Sequence, residues 1–373
     1  MSLQTKINKI FEGLVLNVKT KPHELIRLLK NKDLYSSDSY YPEKKQSSTW
    51  SNFLFQVHQI IKYGHPEHFF FMYGFDVMTK KERFAYVDYL TFKKRRDYLN
   101  YNYAHNSTCI LRNKFYFGVF AQKFNIPVAD NLFYYVDGKL YDLRKDGLQE
   151  ISFSEFCAQS NRELFCKIVN GECGHNVFVL EIRESALYFN NDPISPTELK
   201  EKMNGADFLF QKKVVQHPEL SRLHPSSLNT IRLTTVRNLK TGKIRVWPSA
   251  LRIGIHGSYV DNLSQGGIIV GVDLETGRLH EDGFQRPEFG GRTMQHPDTG
   301  VVYSDFVIPF FEEVKKKAVE FHSFIKDIHS IGWDVAITPT GPLFIEGNDN
   351  WELTVSQAAN TGMRNYFNED FFE

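Results

Sequence analysis

Three oxygen-bearing side chains near the end of the chain could bind a metal ion. Asp334 lies in the apolar stretch WDVAITP, and Glu346 and Asn348 lie in the next one, PLFIEGN. Residues two apart on a strand face the same side, so Glu346 and Asn348 should project together. The short TPTGP connection can pair the two strands antiparallel and place Asp334 opposite them. Two carboxylates and an amide oxygen suit Mg²⁺; three polar residues facing solvent are the alternative.

A lysine followed by a glycine-bearing loop could bind phosphate. Lys167 lies in the stretch ELFCKIV, and the loop NGECGHN follows before the next apolar stretch. Gly171 and Gly174 would allow this loop to fold closely over a ligand and expose backbone N–H groups, which form an anion site together with a lysine. It is not a Walker loop, because neither GKS nor GKT follows and the next element is a strand. A plain β-hairpin turn is the alternative.

Two arginines interrupt strands that are otherwise apolar. Arg232 lies within NTIRLTTV and Arg252 within ALRIG. A buried charge without a partner is costly, so each arginine needs either a structural salt bridge or an anionic ligand. Downstream, the segment DNLSQGGI contains Asn262 and the glycine pair Gly266 and Gly267, which would allow a ligand to approach the backbone closely.

The composition excludes several classes of function. The chain has 373 residues, of which 42% are hydrophobic and 24% charged, with a formal net charge of +1. Such a balance predicts a globular protein of two or three domains and argues against nucleic-acid binding. No apolar run approaches the roughly 18–20 residues of a transmembrane helix. The four cysteines form no CxxC pair and no signal peptide is evident, so we expect a cytoplasmic protein.

The elements that must position these residues follow from periodicity. Residues 1–105 read as mostly helical, whereas helices and antiparallel hairpins alternate later, which predicts an α+β fold. We expect helices over Asn113–Phe124, Pro196–Met203 and from Ile308 to about Ile331. The charged stretch Lys80–Arg96 is either a solvated helix face or a basic patch for an anionic partner.

In order along the chain, these segments resemble the ATP-grasp superfamily, particularly its family associated with sugar transfer and polysaccharide loci. The matching segments are NKFYF, FCKIVNGECGHNV, FQKKVVQHPEL, HPSSLNTIRLTTV, ALRIG, VDNLSQGGI and IGWDVAITPTGPLFIEGN. The resemblance implies an ATP-grasp fold, in which two α+β lobes enclose ATP. We expect a helical N-terminal region over residues 1–105, a small lobe over 106–205 and a large lobe over 206–373.

The resemblance also implies roles for individual residues. Contacts with ATP are implied for the two lysines, the glycine loop, the hinge strand and a ribose position: Lys114, Lys167, Gly171, Glu172, Gly174, Gln211, Lys212, Val214 and Glu219. Metal binding is implied for Asp334, Glu346 and Asn348. Arg252 would assist the transferring phosphoryl group, with Arg232 as a second candidate. The substrate would lie against Asn262, Gly266 and Gly267.

The activity that the resemblance implies is ligation. ATP and Mg²⁺ would convert a small-molecule carboxylate into an acyl phosphate, which an amine or a sugar-linked acceptor then attacks. The family's association with polysaccharide loci implies a role in the biosynthesis of cell-surface polysaccharide or glycan precursors. The sequence departs from the family pattern where the hinge begins with Gln211 instead of Glu and where the first metal position is Asp334 instead of Glu. The alternatives are a kinase on the same fold, a non-catalytic nucleotide-binding protein, and an adaptor acting through Lys80–Arg96.

Overall fold

The computed structural model describes residues 21–101, 107–145, 147–158, 162–171, 177–203 and 205–372. Its helices are α1 (residues 21–30), α2 (Thr49–Tyr63), α3 (Lys80–Arg83), α4 (Tyr89–Tyr101), α5 (Thr108–Arg112), α6 (Lys114–Lys123), α7 (Phe153–Cys157), α8 (Pro196–Met203), α9 (Pro218–Leu223), α10 (Phe311–Phe324), α11 (Leu353–Ala359) and α12 (Arg364–Asp370). Its strands are β1 (Asn131–Val136), β2 (Lys139–Asp142), β3 (Gln149–Ile151), β4 (Arg162–Ile168), β5 (Val177–Arg183), β6 (Ala186–Phe189), β7 (Asp192–Ile194), β8 (Phe208–Lys212), β9 (Thr230–Arg237), β10 (Ile244–Ile253), β11 (Ile268–Val272), β12 (Leu279–Phe284), β13 (Arg292–Thr293), β14 (Ser330–Thr338) and β15 (Gly341–Asn348).

These strands form two sheets. The first sheet has eight strands in the order β3-β2-β1-β8-β4-β5-β6-β7, and the second has seven in the order β13-β12-β11-β10-β9-β14-β15. Neighbouring strands pair antiparallel throughout both sheets, which confirms the α+β prediction. Strand β8 lies in the middle of the first sheet, although the expected boundary at residues 205 and 206 assigns it to the second lobe.

Each sheet has its own apolar core. In the first sheet, Phe133, Leu164 and Phe210 are fully buried and pack with Phe156 of α7 and Leu199 of α8. In the second sheet, one face packs against α6 and α10 through fully buried residues: Ile231, Leu233, Leu251, Val270, Trp333, Phe344, Ala318 and Phe321. Side chains of this size each contribute about 1.5–3 kcal/mol when removed from water, so both sheets are well anchored.

The other face of the second sheet is partly covered by the N-terminal region and α11. An aromatic cluster contains Phe70, Phe71, Tyr73 and Phe75 together with Ile269 of β11. Because Arg252 lies directly opposite Ile269 in the β10–β11 ladder, this cluster shares its face with that arginine. The residues 1–20 and 102–106 that were also expected to be helical lie outside the described ranges.

The prediction that one helix extends from Ile308 to about Ile331 was wrong at its end. Helix α10 stops at Phe324, and Ile331 belongs to β14. His322, on the last turn, lies 2.9 Å from Ile328 O through Nε2 and 2.8 Å from Thr235 Oγ1 through Nδ1. The buried ring thus contacts the backbone carbonyl of Ile328, just before β14, and the hydroxyl of Thr235, 87 residues away along the chain. Helical periodicity does not reveal such contacts.

The buried His322 makes stability depend on pH. Burial lowers the pKa of His322 to about 3, so the unfolded chain takes up a proton that the folded chain does not. Stability is therefore lost as pH falls from about 6.5 towards 3, by about 2 kcal/mol at pH 5. We expect His322→Gln to flatten the fall in the free energy of unfolding between pH 7 and pH 5 in urea titrations. The exposed-site variant His58→Gln is the control, and an unchanged slope in His322→Gln would contradict the assignment.

Within the described ranges, each helix is too short or too polar to cross a lipid bilayer.

Candidate active site

The late hairpin brings its polar side chains together. Asp334 of β14 lies directly opposite Glu346 of β15 and, on its other side, opposite Arg232 of β9. Directly opposite residues in an antiparallel pair share a face of the sheet. Asn348 lies on the same face, because its Nδ2 donates to Glu346 Oε1 at 3.3 Å. Asp334 is only 2% exposed, so this face is covered at Asp334, whereas Glu346 is half-buried.

Both arginines contact the buried carboxylate. Arg232 Nη2 donates to Asp334 Oδ2 at 3.2 Å, and its Nε forms an ion pair with Asp334 Oδ1 at 2.7 Å. Arg252 Nη2 lies 3.2 Å from Asp334 Oδ2. In this structure, therefore, both arginines form salt bridges, which was one of the two possibilities that the sequence left open beside an anionic ligand.

Thr230 and Asp261 hold Arg252 in place, and the sequence reasoning did not single them out. Arg252 donates to Thr230 Oγ1 from Nε at 3.1 Å and from Nη2 at 2.9 Å, and to Asp261 Oδ1 at 3.1 Å. Asp261 in turn accepts from Thr230 N at 2.9 Å and from its hydroxyl. The available signal was an acidic residue close to Leu263 and to the apolar run that begins at Ile268, which would need a cationic partner if it were buried.

The turn expected to meet the substrate follows Asp261 directly. Asn262 O accepts from Gly267 N at 3.0 Å, and Gly266 has a φ of +93°, in the left-handed region. A Cβ on Gly267 would lie 2.6 Å from Asp261 O. Both glycines are therefore required by the turn itself, which holds Asp261 beside Arg252.

Lys114 begins α6 and reaches towards the carboxylates. Asn113 caps this helix, its Oδ1 accepting from the backbone N–H groups of Phe115 and Tyr116 at 3.0 Å each. Lys114 N donates to Val169 O at 3.1 Å, which joins the helix to the end of β4. Lys114 Nζ donates to Gly171 O and lies 4.0 Å from Glu346 Oε2.

Lys167 is a buried cation on β4. It is 5% exposed, and within the described part of the chain no group hydrogen-bonds its Nζ. Burial lowers the pKa of Lys167 to about 8; the neighbouring Glu346 and Asp334 oppose this shift, and Lys114 adds to it. The charges of Lys114, Glu346 and Asp334 thus all act on Lys167.

The paired carboxylates influence each other's protonation. Burial raises the pKa of Asp334, and the adjacent Glu346 adds to the rise. The hydrogen bond with Asp334 and the charge of Lys114 lower the pKa of Glu346, against the effect of burial.

A cavity of about 270 Å³ adjoins the hairpin. Residues from α5, α6, the glycine loop and the end of β15 line it: Leu111, Arg112, Lys114, Asn170, Gly171, Glu346, Gly347, Asn348, Asp349 and Asn350. Arg112, which the sequence reasoning missed, donates hydrogen bonds to the carboxylate of the buried Asp349, from Nε at 3.0 Å and from Nη2 at 2.8 Å. Glu172 and Gly174, expected to close over phosphates, lie outside the described residues.

The residues expected to form the hinge lie at the end of β8 and in the segment that follows it, where His217 N donates to Ile337 O of β14 at 2.8 Å. Gln211 is buried between β1 and β4, and its Nε2 donates to Asn131 Oδ1 at 2.6 Å. Lys212 is exposed and Val214 half-buried. Glu219 is the second residue of α9 and pairs with Arg222 at 2.5 Å. The structure shows no contact, among the residues it describes, between Glu219 and the lysines or carboxylates above.

The donors of the hairpin fit a hard divalent cation. Two carboxylates and an amide share one face of β14 and β15, and the 2.7 Å ion pair of Asp334 Oδ1 with Arg232 Nε is the contact that a metal ion would have to replace. In the described ranges, no three His, Cys, Asp or Glu side chains are grouped to hold a metal by themselves. Mg²⁺ would therefore need the Asn348 oxygen together with water or ligand oxygens, which matches its preference for partial hydration.

One family model matches most of the chain. The family described as sugar-transfer associated ATP-grasp matches residues 93–368. No curated protein matches the chain.

Several solved structures share distant similarity. N5-carboxyaminoimidazole ribonucleotide synthetase from Thermotoga maritima is 13% identical, with a TM-score of 0.36, and the match covers 71% of this chain and 49% of that one. D-alanine-D-alanine ligase from Coxiella burnetii is 10% identical, with a TM-score of 0.35 and coverages of 71% and 57%. D-alanyl-alanine synthetase A from Vibrio cholerae O1 is 10% identical, with a TM-score of 0.39 and coverages of 69% and 61%.

The chain thus spans between about half and three fifths of the length of these solved proteins. Family membership rests on the family match, which extends from α4 through the late hairpin to α12. The chain belongs to the sugar-transfer associated ATP-grasp family.

Proposed function

We propose that this protein is an ATP-dependent ligase that uses Mg-ATP to activate a carboxylate and joins it to an amine or a similar nucleophile. One observation supports this proposal above all others. Lys114 Nζ lies 4.0 Å from Glu346 Oε2, and the buried Lys167 lies near enough to Glu346 and Asp334 for their charges to raise its pKa against the effect of burial. Such a meeting of lysines and carboxylates suits a triphosphate and its metal ion.

The proposed chemistry has two balanced steps. A carboxylate oxygen bonds to the γ-phosphorus of ATP and ADP leaves, which gives an acyl phosphate. The amine nitrogen then bonds to the carbonyl carbon, phosphate leaves, and the amine loses a proton to solvent or a nearby base. Mg²⁺, held by Asp334, Glu346 and Asn348, would screen the phosphate charge. No protein nucleophile is required.

The chain's own residues would position and screen the reactants. The two lysines would bind phosphate oxygens, and Arg252 would face the transferring phosphoryl group. Its Nε and Nη2 are already occupied by Thr230, Asp261 and Asp334, so the guanidinium is held in a fixed orientation. Fixed charges aimed at a transition state typically lower the barrier by several kcal/mol. Arg232 is the second arginine in reach.

We further propose that the substrate carboxylate binds at the Arg112 end of the cavity. Arg112 is half-exposed there, and its grip on Asp349 fixes the guanidinium plane. A preorganised arginine is well suited to a carboxylate. The family's association with sugar transfer supports a sugar-linked acceptor, and we further propose a role in glycan or polysaccharide precursor synthesis in the cytoplasm.

One observation favours a second candidate, a nucleotide-binding protein without turnover. Arg232 and Arg252 already neutralise Asp334, the first proposed metal donor. If these contacts persist with nucleotide bound, Asp334 cannot serve the metal and the arginines cannot serve the phosphate.

A product screen separates these functions. Purified protein would be incubated with Mg-ATP, panels of amino and sugar acids, and amines that include amino sugars, while ADP and phosphate are measured. Ligation predicts equal amounts of ADP, free phosphate and a condensed product. A phosphorylated acceptor in place of free phosphate would indicate a kinase. ATP binding with no ADP release under any combination would favour the non-catalytic candidate.

A further inference from the structure

Helix α4 carries two polar side chains that are completely buried. Arg96 and Asn100 are both 0% exposed. Arg96 ends the basic stretch Lys80–Arg96, which the sequence suggested to be a solvated face or a patch for an anionic partner. For Arg96 both readings were wrong, because its guanidinium lies inside the protein. A buried guanidinium or amide is costly unless its hydrogen bonds are satisfied, so the partners of these two residues matter.

Arg96 holds the segment that follows β15. Its Nη1 donates to Asn350 O at 2.7 Å and also to Trp351 O. Its Nε and Nη2 donate to Asp97 Oδ1 at 3.0 and 2.7 Å. Asp97 thereby compensates the charge, and the two carbonyl bonds fix the backbone immediately beyond Asn348.

Asn100 connects the start of β14 with the end of β15. Its Nδ2 donates to Ser330 O at 3.0 Å and to Asp349 O at 2.7 Å. Its Oδ1 accepts from His329 N and Ser330 N at 3.1 Å each. Both donor hydrogens and both acceptor positions of the amide are therefore used.

These bonds lie at the end of the hairpin that carries the proposed metal donors. Ser330 is four residues before Asp334, and Asp349 directly follows Asn348. Gly332 pairs with Asn348 between them. The hydrogen bonds of Asn100 therefore tie the start of β14 to the residue after β15, and so help to fix the strand register in which Asp334 lies opposite Glu346.

We propose that Asn100 and Arg96 are positioning residues of the metal centre, through which the N-terminal helical region sets the spacing between Asp334 and the Glu346–Asn348 pair. This inference rests on the proposed function, because it presumes that these donors hold Mg²⁺ beside ATP. Metal sites require their donors to be held within about 0.5 Å, and loss of a supporting contact typically weakens metal binding by 10–100-fold.

The test compares Asn100→Leu with wild type, using the non-hydrolysable ATP analogue AMPPNP and Mn²⁺ as the spectroscopic substitute for Mg²⁺. We expect the affinity for metal-free AMPPNP to stay within about twofold, because the lysines are untouched. We expect Mn²⁺ to bind the AMPPNP complex about tenfold or more weakly. This split between nucleotide and metal affinity would not arise from a general loss of stability.

Gln56→Leu is the matched control. Gln56 is also a fully buried amide that connects backbone segments, since its Nε2 donates to Leu34 O at 2.7 Å and to Glu67 O at 3.0 Å. It lies in α2, away from the hairpin. We expect this variant to lose stability comparably while binding Mn²⁺ as wild type does.

The outcomes separate this inference from the proposed function. Wild-type binding of Mn²⁺ and AMPPNP with undiminished Mn²⁺ affinity in Asn100→Leu would overturn the inference alone. Absence of Mn²⁺ binding in the wild-type AMPPNP complex would overturn both. Should Asn100→Leu not fold, Arg96→Lys retains the buried charge but loses one carbonyl bond. Mn²⁺ affinity severalfold below wild type would then support the inference, and unchanged affinity would overturn it.

Discussion

Replacing Glu346 by Gln is expected to abolish Mg²⁺-dependent ADP formation while the chain remains folded. The substitution keeps the size of the side chain and removes one negative charge from the proposed metal site. Glu346 is the better exposed of the two carboxylates, with 28% of its side chain accessible against 3% for Asp334. A metal ion that approaches from the cavity would therefore meet it directly. Removal of a metal donor or a fixed charge at such a site costs about 100-fold or more in rate.

The measurement is a coupled assay of ADP release with the substrates found in the product screen, alongside thermal unfolding to confirm the fold. Glu320→Gln is the matched control, because Glu320 is a surface carboxylate of α10 paired with Lys317. The control should retain wild-type turnover. Normal turnover in Glu346→Gln would contradict the assignment of this residue as a metal ligand.

Replacing Lys167 by Met is expected to weaken nucleotide binding and to stabilise the protein without ligand. A charge-assisted hydrogen bond to phosphate contributes about 1.5–3 kcal/mol, so the affinity for AMPPNP should fall roughly 10- to 100-fold. Stability should change in the opposite direction. The pKa of Lys167 is about 8 in the folded chain, against the ordinary value of 10.5, so folding destabilises the charged form.

The sign of this effect can be followed with pH. Below about pH 8 both states of the chain carry the charge, and the folded state bears the whole penalty of up to about 3 kcal/mol. Between about pH 8 and 10.5 the folded chain releases the proton first, so wild-type stability rises. The Met variant should be more stable than wild type at pH 7, and it should lack this rise.

Urea unfolding of the ligand-free protein from pH 7 to 10 measures the stability, and calorimetric titration with AMPPNP measures the affinity. Lys139→Met is the control, because Lys139 is an exposed lysine paired with Glu150. A Met variant of Lys167 that is less stable at pH 7 and binds AMPPNP as wild type does would contradict both parts. The confirmed pattern would show a residue retained for binding at the expense of stability.

The sequence by itself determined the local parts of this site. Strand alternation alone predicts that Glu346 and Asn348 share a face, and the short connection between β14 and β15 leaves antiparallel pairing as the simple solution. Helix α8 has the bounds that were predicted from its sequence, Pro196–Met203. These features depend on neighbours a few residues away, so periodicity and turn residues are sufficient to find them.

Only the tertiary structure decided which distant groups meet. Arg232 contacts Asp334, 102 residues away along the chain, because β9 rather than another strand pairs with β14. The bond from Asn100 to Asp349 spans 249 residues, and no pattern within α4 marks that amide as part of the hairpin. Such contacts depend on strand order and on the packing of separate layers. Local propensity does not encode these choices, because they result from burying all the apolar faces at once.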